Sequence, residues 1–585
     1  MITPMKSLLL AGRQADRGAV LAILQEAGVI HVEAVDPATV QVPHQLLKDI
    51  EAAVRAVDAL EKVQPGEGQI PPPGTPSRLV DELQADLVLL ARVETDKVTL
   101  QAEIDRVAPW GRISRDDLAA LRARGLHIEF FLSPTGYADA IKADLRQVVA
   151  SRPGEEFILA VSKTPIAEEP PARRIPPPEK DVTELKGALA IVLEEEKRIR
   201  GNMREMARRL PEIRAYHQEL LERKRFAEVE SGLAAEGPVF VLKGWVPVAH
   251  EECLRRALDQ SKAAVALQTA DPADDETPPT KFENAWWCRP IEVLFSLLGV
   301  IPGYREADIS PTFFPALIVF TSFLIGDAGY GLIAALALAV AFKPLVDRGT
   351  PRPALELFIS LFAGVFIYGV LTNTWFGENP EFLKRLSVLP DKPEEATKFL
   401  KGLCFLIGAL HLTAAHLWKV ARQPAGLAVL GEVGWLLFIW PMYALVMMLV
   451  NGDPRPVWML PGFGLSLALI LLFTAPSWNL FAAVGQGLGA VALNAASFLS
   501  DIISYIRLWA VGLAGGILAH SFNELARPLP LVFMVLVLVA AHFMNFALGL
   551  VAIFAHGVRL NLLEFSNHLG MEWSGREFDP FRKRT

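Results

Sequence analysis

The sequence predicts a mixed fold class: N-terminal cytoplasmic α/β lobes joined by a long antiparallel coiled-coil arm, then a C-terminal polytopic all-α membrane domain. Residues 1–280 contain 36 Lys and Arg and 45 Asp and Glu, whereas residues 281–585 contain only 21 and 20. The first part is therefore predicted to be acidic and water-facing, and the second to lie in a membrane. Neither part is basic enough to indicate nucleic-acid binding.

The predicted domain boundaries follow this change in composition. We expect a cytoplasmic domain over 1–280, a linker over 281–311, a transmembrane domain over 312–565 and a cytoplasmic C-terminal tail over 566–585. The first seven residues lack the charged and then apolar layout of a cleavable signal. The N-terminal half is therefore expected to stay on the cytoplasmic side.

Strand and helix patterns at opposite ends of the first domain predict a proximal lobe over 1–42 and 231–280. The predicted strands lie at 7–10, 30–34, 239–242 and 263–268, and the predicted helices at 16–26 and 251–260. Because such units can share one sheet, we expect a single small α+β lobe. A distal lobe over 108–177 is predicted from strands at 127–132 and 157–161 with a helix at 137–149 between them.

Helical stretches over 43–107 and 178–230 predict the arm between the lobes. From Val182 to Leu220 a mostly apolar seam recurs at alternating steps of three and four, which is the coiled-coil period. Pro211 is expected to interrupt this helix, because proline lacks a backbone donor and clashes with the preceding turn. An arm with a lobe at each end is typical of a protein that bridges partners, although a self-contained spacer has the same pattern.

Seven apolar segments predict the membrane domain, near 312–343, 354–375, 402–420, 428–450, 459–475, 481–525 and 530–558. The first is interrupted at 326–331 and is expected to form two short spans, giving about eight transmembrane helices and a cytoplasmic C-terminus. The stretches 489–525 and 530–565 would exceed a hydrocarbon core of about 30 Å as straight helices. They are expected to be long and tilted, bent or protruding.

Several kinds of chemistry are not indicated. The three cysteines, Cys253, Cys288 and Cys404, are widely spaced and form no metal or redox pattern, so we expect neither a metal nor a cofactor. No G-x-x-x-x-G-K-[ST] loop and no strand-linked G-x-G-x-x-G loop occurs. Any nucleotide chemistry must therefore belong to another chain, and the sequence does not decide whether this chain is itself an enzyme.

Arg507 is the main functional candidate, because it lies within one of the most apolar stretches of the chain. A charge at the centre of a membrane helix costs roughly 2.5–3.5 kcal/mol on insertion scales, so it needs a partner or a task. Ser497, Ser500 and Ser504 follow steps of three and four that end at Arg507, which predicts one shared helical face. A purely structural salt bridge is the alternative for Arg507.

A second polar stripe is predicted on the last long helix. His542, Asn545, His556 and Arg559 share one face at helical spacing. Arg559 could instead mark the cytoplasmic end of the helix and extend outward to the interface. Other polar groups within apolar segments are Asp327, His411, His416, Glu432, Asp501 and His520. Singly, each fits a hydrogen-bonded structural role; together they could line water-filled paths for a small cation.

Several motifs, in order along the chain, identify a family. They are 243–247 (KGWVP), 278–280 (PPT) followed by Asn284 and 290–292 (PIE), 326–331 (GDAGYG), 431–435 (GEVGW), 504–510 (SYIRLWA) and 556–560 (HGVRL). With them the chain resembles the large membrane subunit of rotary V/A-type ATPases, called subunit a or subunit I. The motifs cover residues 240–565, and the predicted lobed arm agrees with the family in architecture.

The resemblance implies a stator that lies against a rotating ring of proteolipids, each with one ion-carrying carboxylate. Arg507 would be the essential arginine that faces this carboxylate between two aqueous half-channels, and Arg559 a supporting arginine. The resemblance also implies peripheral stalk subunits on the cytoplasmic lobes, an indirect link to the catalytic ATPase head, and a prokaryotic cell membrane as the location. The channel-lining candidates are Ser497, Ser500, Asp501, Ser504, His542, Asn545, His556, Glu432, Asp327 and His411.

One position departs from the family pattern. Gly549 stands where eukaryotic relatives have a glutamate thought to line a half-channel, so His542 or Glu432 is expected to contribute instead. A secondary ion-coupled transporter with a cytoplasmic regulatory arm and a membrane-anchored scaffold remain as alternatives. The sequence leaves open whether H⁺ or Na⁺ is carried, and whether the complex makes or uses ATP.

Overall fold

The computed structural model describes residues 2–34, 40–66, 75–111, 115–177, 179–261, 263–476 and 479–583. By its internal contacts the chain divides into two compact units. One unit comprises Met1–Ala11, Val29–Val32 and Lys243–Pro580, and the other comprises Gly12–Gly28, Glu33–Leu242 and Phe581–Thr585.

The strands form two sheets. They are β1 (Met5–Arg13), β2 (His31–Glu33), β3 (His127–Pro134), β4 (Leu145–Arg152), β5 (Glu155–Ser162), β6 (Arg173–Ile175), β7 (Ala234–Glu236), β8 (Val239–Pro247) and β9 (Val265–Ala270). The first sheet has the order β2-β8-β1-β9, with β7 paired to β8, and the second has the order β4-β5-β3-β6. Strands from opposite ends of the N-terminal half therefore share one sheet, as predicted.

Packing explains why β8 contains the sequence Gly244-Trp245. A Cβ atom at Gly244 would lie 2.5 Å from the backbone oxygen of His31 in the neighbouring β2, so a side chain cannot be accommodated there without moving the strands apart. The following Trp245 is almost fully buried. The motif thus combines a close strand approach with a large apolar anchor.

The predicted helix at 137–149 is wrong. Only a short 3₁₀ turn, Ala138–Ala140, precedes β4, which pairs antiparallel with β5. Val148 lies opposite Ile158 in this pairing. The β-branched valines in this segment favour a strand, and antiparallel pairing with β5, which follows directly, overrides the local helical pattern.

The helices of the N-terminal half are α1 (Arg17–Ala27), α2 (His44–Glu61), α3 (Pro76–Val107), α4 (Arg115–Ala123), α5 (Val182–Met206), α6 (Leu210–Ser231) and α7 (Glu251–Gln260). α3 and α5 run antiparallel, because Ile104 packs beside Leu185 at one end while Leu83 and Ala207 share a buried cluster at the other. The interruption predicted at Pro211 is confirmed: α5 ends at Met206 and Pro211 lies in the first turn of α6.

The apolar half follows the short helix α8 (Ile291–Leu298). Its helices are α9 (Ser310–Ile325), α10 (Ala328–Asp347), α11 (Arg352–Thr372), α12 (Pro393–Arg422), α13 (Val429–Val446), α14 (Met459–Phe473), α15 (Leu480–Ser504), α16 (Ile506–Ala526), α17 (Leu531–Ala552) and α18 (Ser566–Leu569). Among the described residues, six helical stretches are long and apolar enough to cross a membrane, and α9 and α14 are shorter apolar helices. The sequence predicts about eight spans, and six stretches of the described residues are long enough to be one.

The last two stretches are overlong, as predicted, at 47 residues for Leu480–Ala526 and 39 for Leu531–Leu569. Neither is a single regular α-helix. The first is broken at Tyr505, whose backbone N–H bonds to Ile502 three residues earlier. The second contains two π-helical segments, Ile553–Val558 and Leu560–Phe565. Such π-helical turns are uncommon and recur at functional sites.

Candidate functional site

Arg507 lies in the first turn of α16, immediately after the break between α15 and α16. Its Nε donates a hydrogen bond to the backbone oxygen of Ser504 at 3.0 Å. Its Nη2 donates to Glu564 Oε1 at 2.6 Å, and the Arg507 side chain is only 23% exposed. The guanidinium is therefore held on both sides, by an α15 carbonyl and by a carboxylate from the far end of the second long helical stretch.

Three polar groups lie close to a single carboxylate oxygen of Glu564. Besides Arg507, the hydroxyl of Ser504 donates to Glu564 Oε1 at 2.9 Å, and Arg559 Nε lies 3.8 Å from the same atom. The Glu564 side chain is 5% exposed, and its Oε2 is buried with no hydrogen-bond partner among the described residues. A buried carboxylate is tolerated here because it faces two guanidinium groups.

The π-helix explains how Arg559 and Glu564 meet. A π-helix closes its hydrogen bonds between residues five apart, so positions 559 and 564 become neighbours on one face. In a regular α-helix, neighbours on a face are three or four residues apart. Sequence analysis missed Glu564 for this reason, since a search at helical spacing passes over a step of five. The one available signal was an acidic residue inside an apolar segment.

A first polar cluster joins α12, α13, α15 and α18 in one hydrogen-bonded chain. Lys419 Nζ lies 2.7 Å from Glu432 Oε1, and His416 Nδ1 lies 3.4 Å from Glu432 Oε2. His416 Nε2 and His568 Nδ1 are 3.0 Å apart, and His568 Nε2 is 3.1 Å from Asp501 Oδ2. These five side chains line a cavity of about 280 Å³, here called the first cavity.

A second polar cluster joins α10, α16 and α17. Tyr330 Oη lies 2.7 Å from His542 Nδ1 and accepts a hydrogen bond from Asn545 Nδ2 at 3.1 Å. His542 Nε2 lies 3.0 Å from Asn523 Oδ1. Asp327 caps α10 by accepting the backbone N–H of Tyr330. Asp327 and Tyr330 line a cavity of about 340 Å³, here called the second cavity.

Three further predicted residues differ in their surroundings. Ser497 lines the first cavity, while Ser500 is exposed on α15. His556 is half-buried, and its Nδ1 has no hydrogen-bond partner among the described residues. Gly549 lines a smaller cavity of about 130 Å³ together with Tyr330 and Asn545. The glycine thus leaves open space beside the second cluster.

His411 supports the break at Tyr505. Its Nδ1 lies 2.8 Å from Tyr505 Oη, and its ring stacks on Phe565 at 4.3 Å between centroids. Both Tyr505 and His411 are buried. His411 therefore joins the break before Arg507 to the π-helical segment that carries Glu564, without lining either cavity.

Nine of the twelve predicted site residues fall into three groups, and His411, Ser500 and His556 lie outside them. Arg507, Ser504 and Arg559 meet at Glu564. Asp501, Glu432 and Ser497 belong to the first cavity, whereas Asp327, His542 and Asn545 belong to the second cluster. The stripe predicted from His542 to Arg559 is divided between two environments, because the π-helical segment Ile553–Val558 between them changes the helical spacing. Sequence analysis named His416 only as one of several polar groups that could line an ion path, and it did not propose Glu564, Lys419, His568, Tyr330 or Asn523.

The fold and this arrangement define a polytopic membrane protein with a partly buried arginine and two polar cavities. No family model matches the sequence. The chain is 29% identical over 636 residues to V-type ATP synthase subunit I 1 of Treponema pallidum, with 100% of both chains covered. It is 34% identical over 367 residues to V-type ATP synthase subunit I of Borreliella burgdorferi, covering 58% of this chain and 60% of that protein.

A third relative is more distant. A-type ATP synthase subunit I of Pyrococcus horikoshii is 26% identical over 414 residues, covering 66% of this chain and 60% of that protein. The comparisons confirm the resemblance that the motifs indicate: the chain is similar to a V-type ATP synthase subunit I over its whole length and to an A-type subunit I over part of it.

Proposed function

We propose that this protein is the ion-translocating stator subunit of a prokaryotic V/A-type ATPase or ATP synthase. In this proposal Arg507 faces a rotating ring of proteolipids and meets the ion-carrying carboxylate of each one in turn. The observation that carries the proposal is the partly buried guanidinium of Arg507 between two polar cavities. Along the chain, α15 lines the first cavity before Arg507 and α16 lines the second cavity after it. The names of the relatives, which are subunits of ATP synthases, support it.

Arginine suits this task for two chemical reasons. The guanidinium does not lose its proton at working pH, so Arg507 remains a fixed positive charge that blocks a direct passage of cations between the cavities. A nearby positive charge also favours the ionised form of a carboxylate, which promotes release of the bound ion into an exit path. Ser504 and Glu564 hold the side chain in position for this encounter.

The two cavities supply the two access paths. Asp501 in the first cluster lies six residues before Arg507, and Asn523 in the second lies sixteen residues after it. At 1.5 Å per helical residue these separations correspond to about 9 Å and about 24 Å along α15 and α16. We infer that one path runs through the first cavity with Glu432, Asp501 and Ser497. The other runs through the second with Asp327, His542 and Asn545.

An exposed apolar stripe on α17 fits a neighbour in the membrane. Val532, Leu536, Val539 and Phe543 follow steps of four, three and four, and each is more than 60% exposed. Such a stripe is favourable against lipid or against the apolar surface of a ring helix. Arg559, whose side chain is 52% exposed between the two π-helical segments that follow, would then be the supporting arginine beside Arg507.

The antiparallel α3–α5 pair is proposed to act as a coiled-coil arm that links the membrane domain to peripheral stalk subunits. The cytoplasmic side of a prokaryotic cell membrane is the proposed location of this half and of the C-terminal tail. ATP chemistry is proposed to occur in the catalytic head, on other chains. The distal sheet then offers a second attachment point at the far end of the arm.

The decisive experiment is Arg507→Ala in the assembled complex, reconstituted into vesicles. We expect ion translocation coupled to ATP to be lost while all subunits still co-purify. Arg348→Ala, which removes an exposed arginine at the end of α10, is the control and should leave translocation unchanged. Translocation at the normal rate by the Arg507 variant would contradict the proposal. Substrate uptake by the isolated chain, without a proteolipid ring, would favour a secondary ion-coupled transporter instead.

A further inference from the structure

A cluster of metal-ligating side chains lies outside the Arg507 site. Glu378, from the segment after α11, meets His520 and Glu524 of α16, and one ligand atom of each lies within 4.8 Å of the other two. His520 Nδ1 and Glu378 Oε1 are 3.4 Å apart. In the described part of the chain this is the one group of three or more such residues with that spacing.

Two of the ligands come from a single helix. His520 and Glu524 are four residues apart on α16, so they project from the same face one turn apart. An (i, i+4) pair of ligands on a helix is a recurrent way to hold a metal ion, because the backbone sets the spacing of the two side chains. The third ligand, Glu378, comes from a separate segment of the chain.

The segment that carries Glu378 is held tightly against α16. Trp375 and Glu378 exchange two backbone hydrogen bonds of 2.8 and 3.0 Å, which close a narrow turn. Between them Gly377 has φ +78°, and a Cβ atom there would lie 2.6 Å from the Cβ of Ala519. Only glycine allows this turn to approach the helix so closely. The hydrogen-bonded turn therefore holds Glu378 beside His520 in a fixed position.

Two further hydrogen bonds anchor the same turn. Asp327 Oδ2 accepts the backbone N–H of Gly377 at 2.9 Å, and Asn523 Nδ2 donates to the backbone oxygen of Phe376 at 2.8 Å. The turn is thus tied to the start of α10 and to α16. A site whose ligands are held by such supporting contacts loses little entropy when it binds an ion.

The charges of the cluster favour a divalent cation. Two carboxylates lie close to one imidazole, and Arg527 offsets only part of this negative charge, through its 2.8 Å pair with Glu524. Like charges held this close repel each other unless a cation intervenes. One imidazole nitrogen with two carboxylate oxygens suits Zn²⁺ and related transition-metal ions, whereas Mg²⁺ and Ca²⁺ prefer oxygen ligands alone.

We propose that Glu378, His520 and Glu524 form a binding site for a divalent transition-metal ion of the Zn²⁺ class, with water completing the coordination. His520 also lines the second cavity, and Asn523 connects Glu378 to His542 through hydrogen bonds of 3.3 and 3.0 Å. If the proposed function holds, an ion bound here closes the mouth of the second access path. Zn²⁺ then inhibits translocation from that side.

Binding is tested on the purified full-length chain or its complex in detergent, by titration with Zn²⁺ and with Co²⁺ as a spectroscopic probe. We expect His520→Gln and Glu524→Gln each to weaken binding at this site by about tenfold or more. Glu381→Gln, which removes an exposed carboxylate from the same segment, is the matched control and should bind as the unchanged protein does. Equal affinity and stoichiometry in all four proteins would overturn the proposal.

The binding test depends neither on the His520 variant alone nor on ion transport. Glu524 is half-exposed on the end of α16, so its replacement by glutamine is compatible with folding even if the His520 variant unfolds. Binding is read without any transport step, so a failure of the proposed stator function leaves it unchanged. In the transport assay, Zn²⁺ inhibition is compared with the metal-free rate of each variant. Inhibition that persists in Glu524→Gln would show that the blocking ion binds elsewhere.

Discussion

Arg507 Nη2 and Glu564 Oε1 are 2.6 Å apart although 57 residues separate them in sequence. The pair joins the first turn of α16 to the π-helical end of the second long stretch. It gives Arg507 a counter-ion within its own chain, which lowers the cost of burying the guanidinium. A carboxylate from another subunit would have to compete with Glu564 for Arg507, and Arg559 is close enough to retain Glu564 during such an exchange.

Removal of this internal counter-ion should destabilise the membrane domain. We expect Glu564→Gln to lower the free energy of unfolding by about 2 kcal/mol, below the 3–5 kcal/mol typical of fully buried pairs, because Arg507 is 23% exposed. The measurement is the thermal midpoint in detergent. Glu524→Gln removes a carboxylate from a solvent-exposed pair and should cost no more than about 1 kcal/mol. Similar losses in the two variants would argue against a special role for Glu564.

The first cluster can be tested at its centre. His416 contacts Glu432 on one side and His568 on the other, so His416→Leu interrupts the hydrogen-bonded chain. We expect ion translocation by the reconstituted complex to fall by about tenfold or more, since positioned proton-transfer groups typically contribute 10²–10⁴-fold. His127→Gln, an exposed histidine of β3, is the control for loss of an imidazole. Unchanged translocation in the His416 variant would exclude the first cavity as an access path.

The antiparallel α3–α5 pair offers a matched pair of isoleucines on α5. Ile199 is fully buried between α3 and α5, whereas Ile191 on the same helix is 73% exposed. We expect Ile199→Ala to destabilise the α3–α5 pair by about 2–5 kcal/mol and Ile191→Ala by less than about 0.5 kcal/mol. Circular dichroism during thermal unfolding would report both. A large effect of the Ile191 change would mean that this face is covered by another part of the assembly.

The pH dependence of the N-terminal half should depend on Glu251. Hydrogen bonds from Thr269, Lys6 and Arg255 lower the pKa of Glu251 from 4.5 to about 2. Because the folded-state pKa is the lower one, the stabilisation is complete above pH 4.5 and is lost as the pH falls towards 2.

We expect Glu251→Gln to remove part of the acid sensitivity in this window, with up to about 1 kcal/mol for each partly exposed ion pair. Thermal unfolding of the full chain at pH 5 and pH 3 is the measurement. Glu252→Gln changes a neighbouring carboxylate whose side chain is 76% exposed and should leave the pH dependence as it is. If both variants change the pH dependence of unfolding equally, the hydrogen bonds of Glu251 are not the cause of that dependence.

Much of the fold could be predicted because its signals are local. Strands and helices of the proximal sheet, the break at Pro211 and the two overlong apolar stretches all follow from periodicity, proline chemistry and run length. The segment around Val148 is the exception, since its strand depends on pairing with β5. β5 follows β4 directly, but the strand preference comes from cross-strand side-chain pairs of this hairpin, which a search for helical periodicity does not detect.

The site divides in the same way. The cost of a charge in an apolar helix identified Arg507 from the sequence alone, helical spacing placed Ser504 on its face, and the family resemblance proposed Arg559 as the supporting arginine. Only the tertiary structure could pair Arg507 with Glu564, because the π-helical turn changes which residues share a face. Likewise His416 and His568 meet only when α12 packs against α18. The sequence determined which groups are too costly to bury alone, and packing decided which partners compensate them, because an ion pair depends on distances that close only in the folded chain.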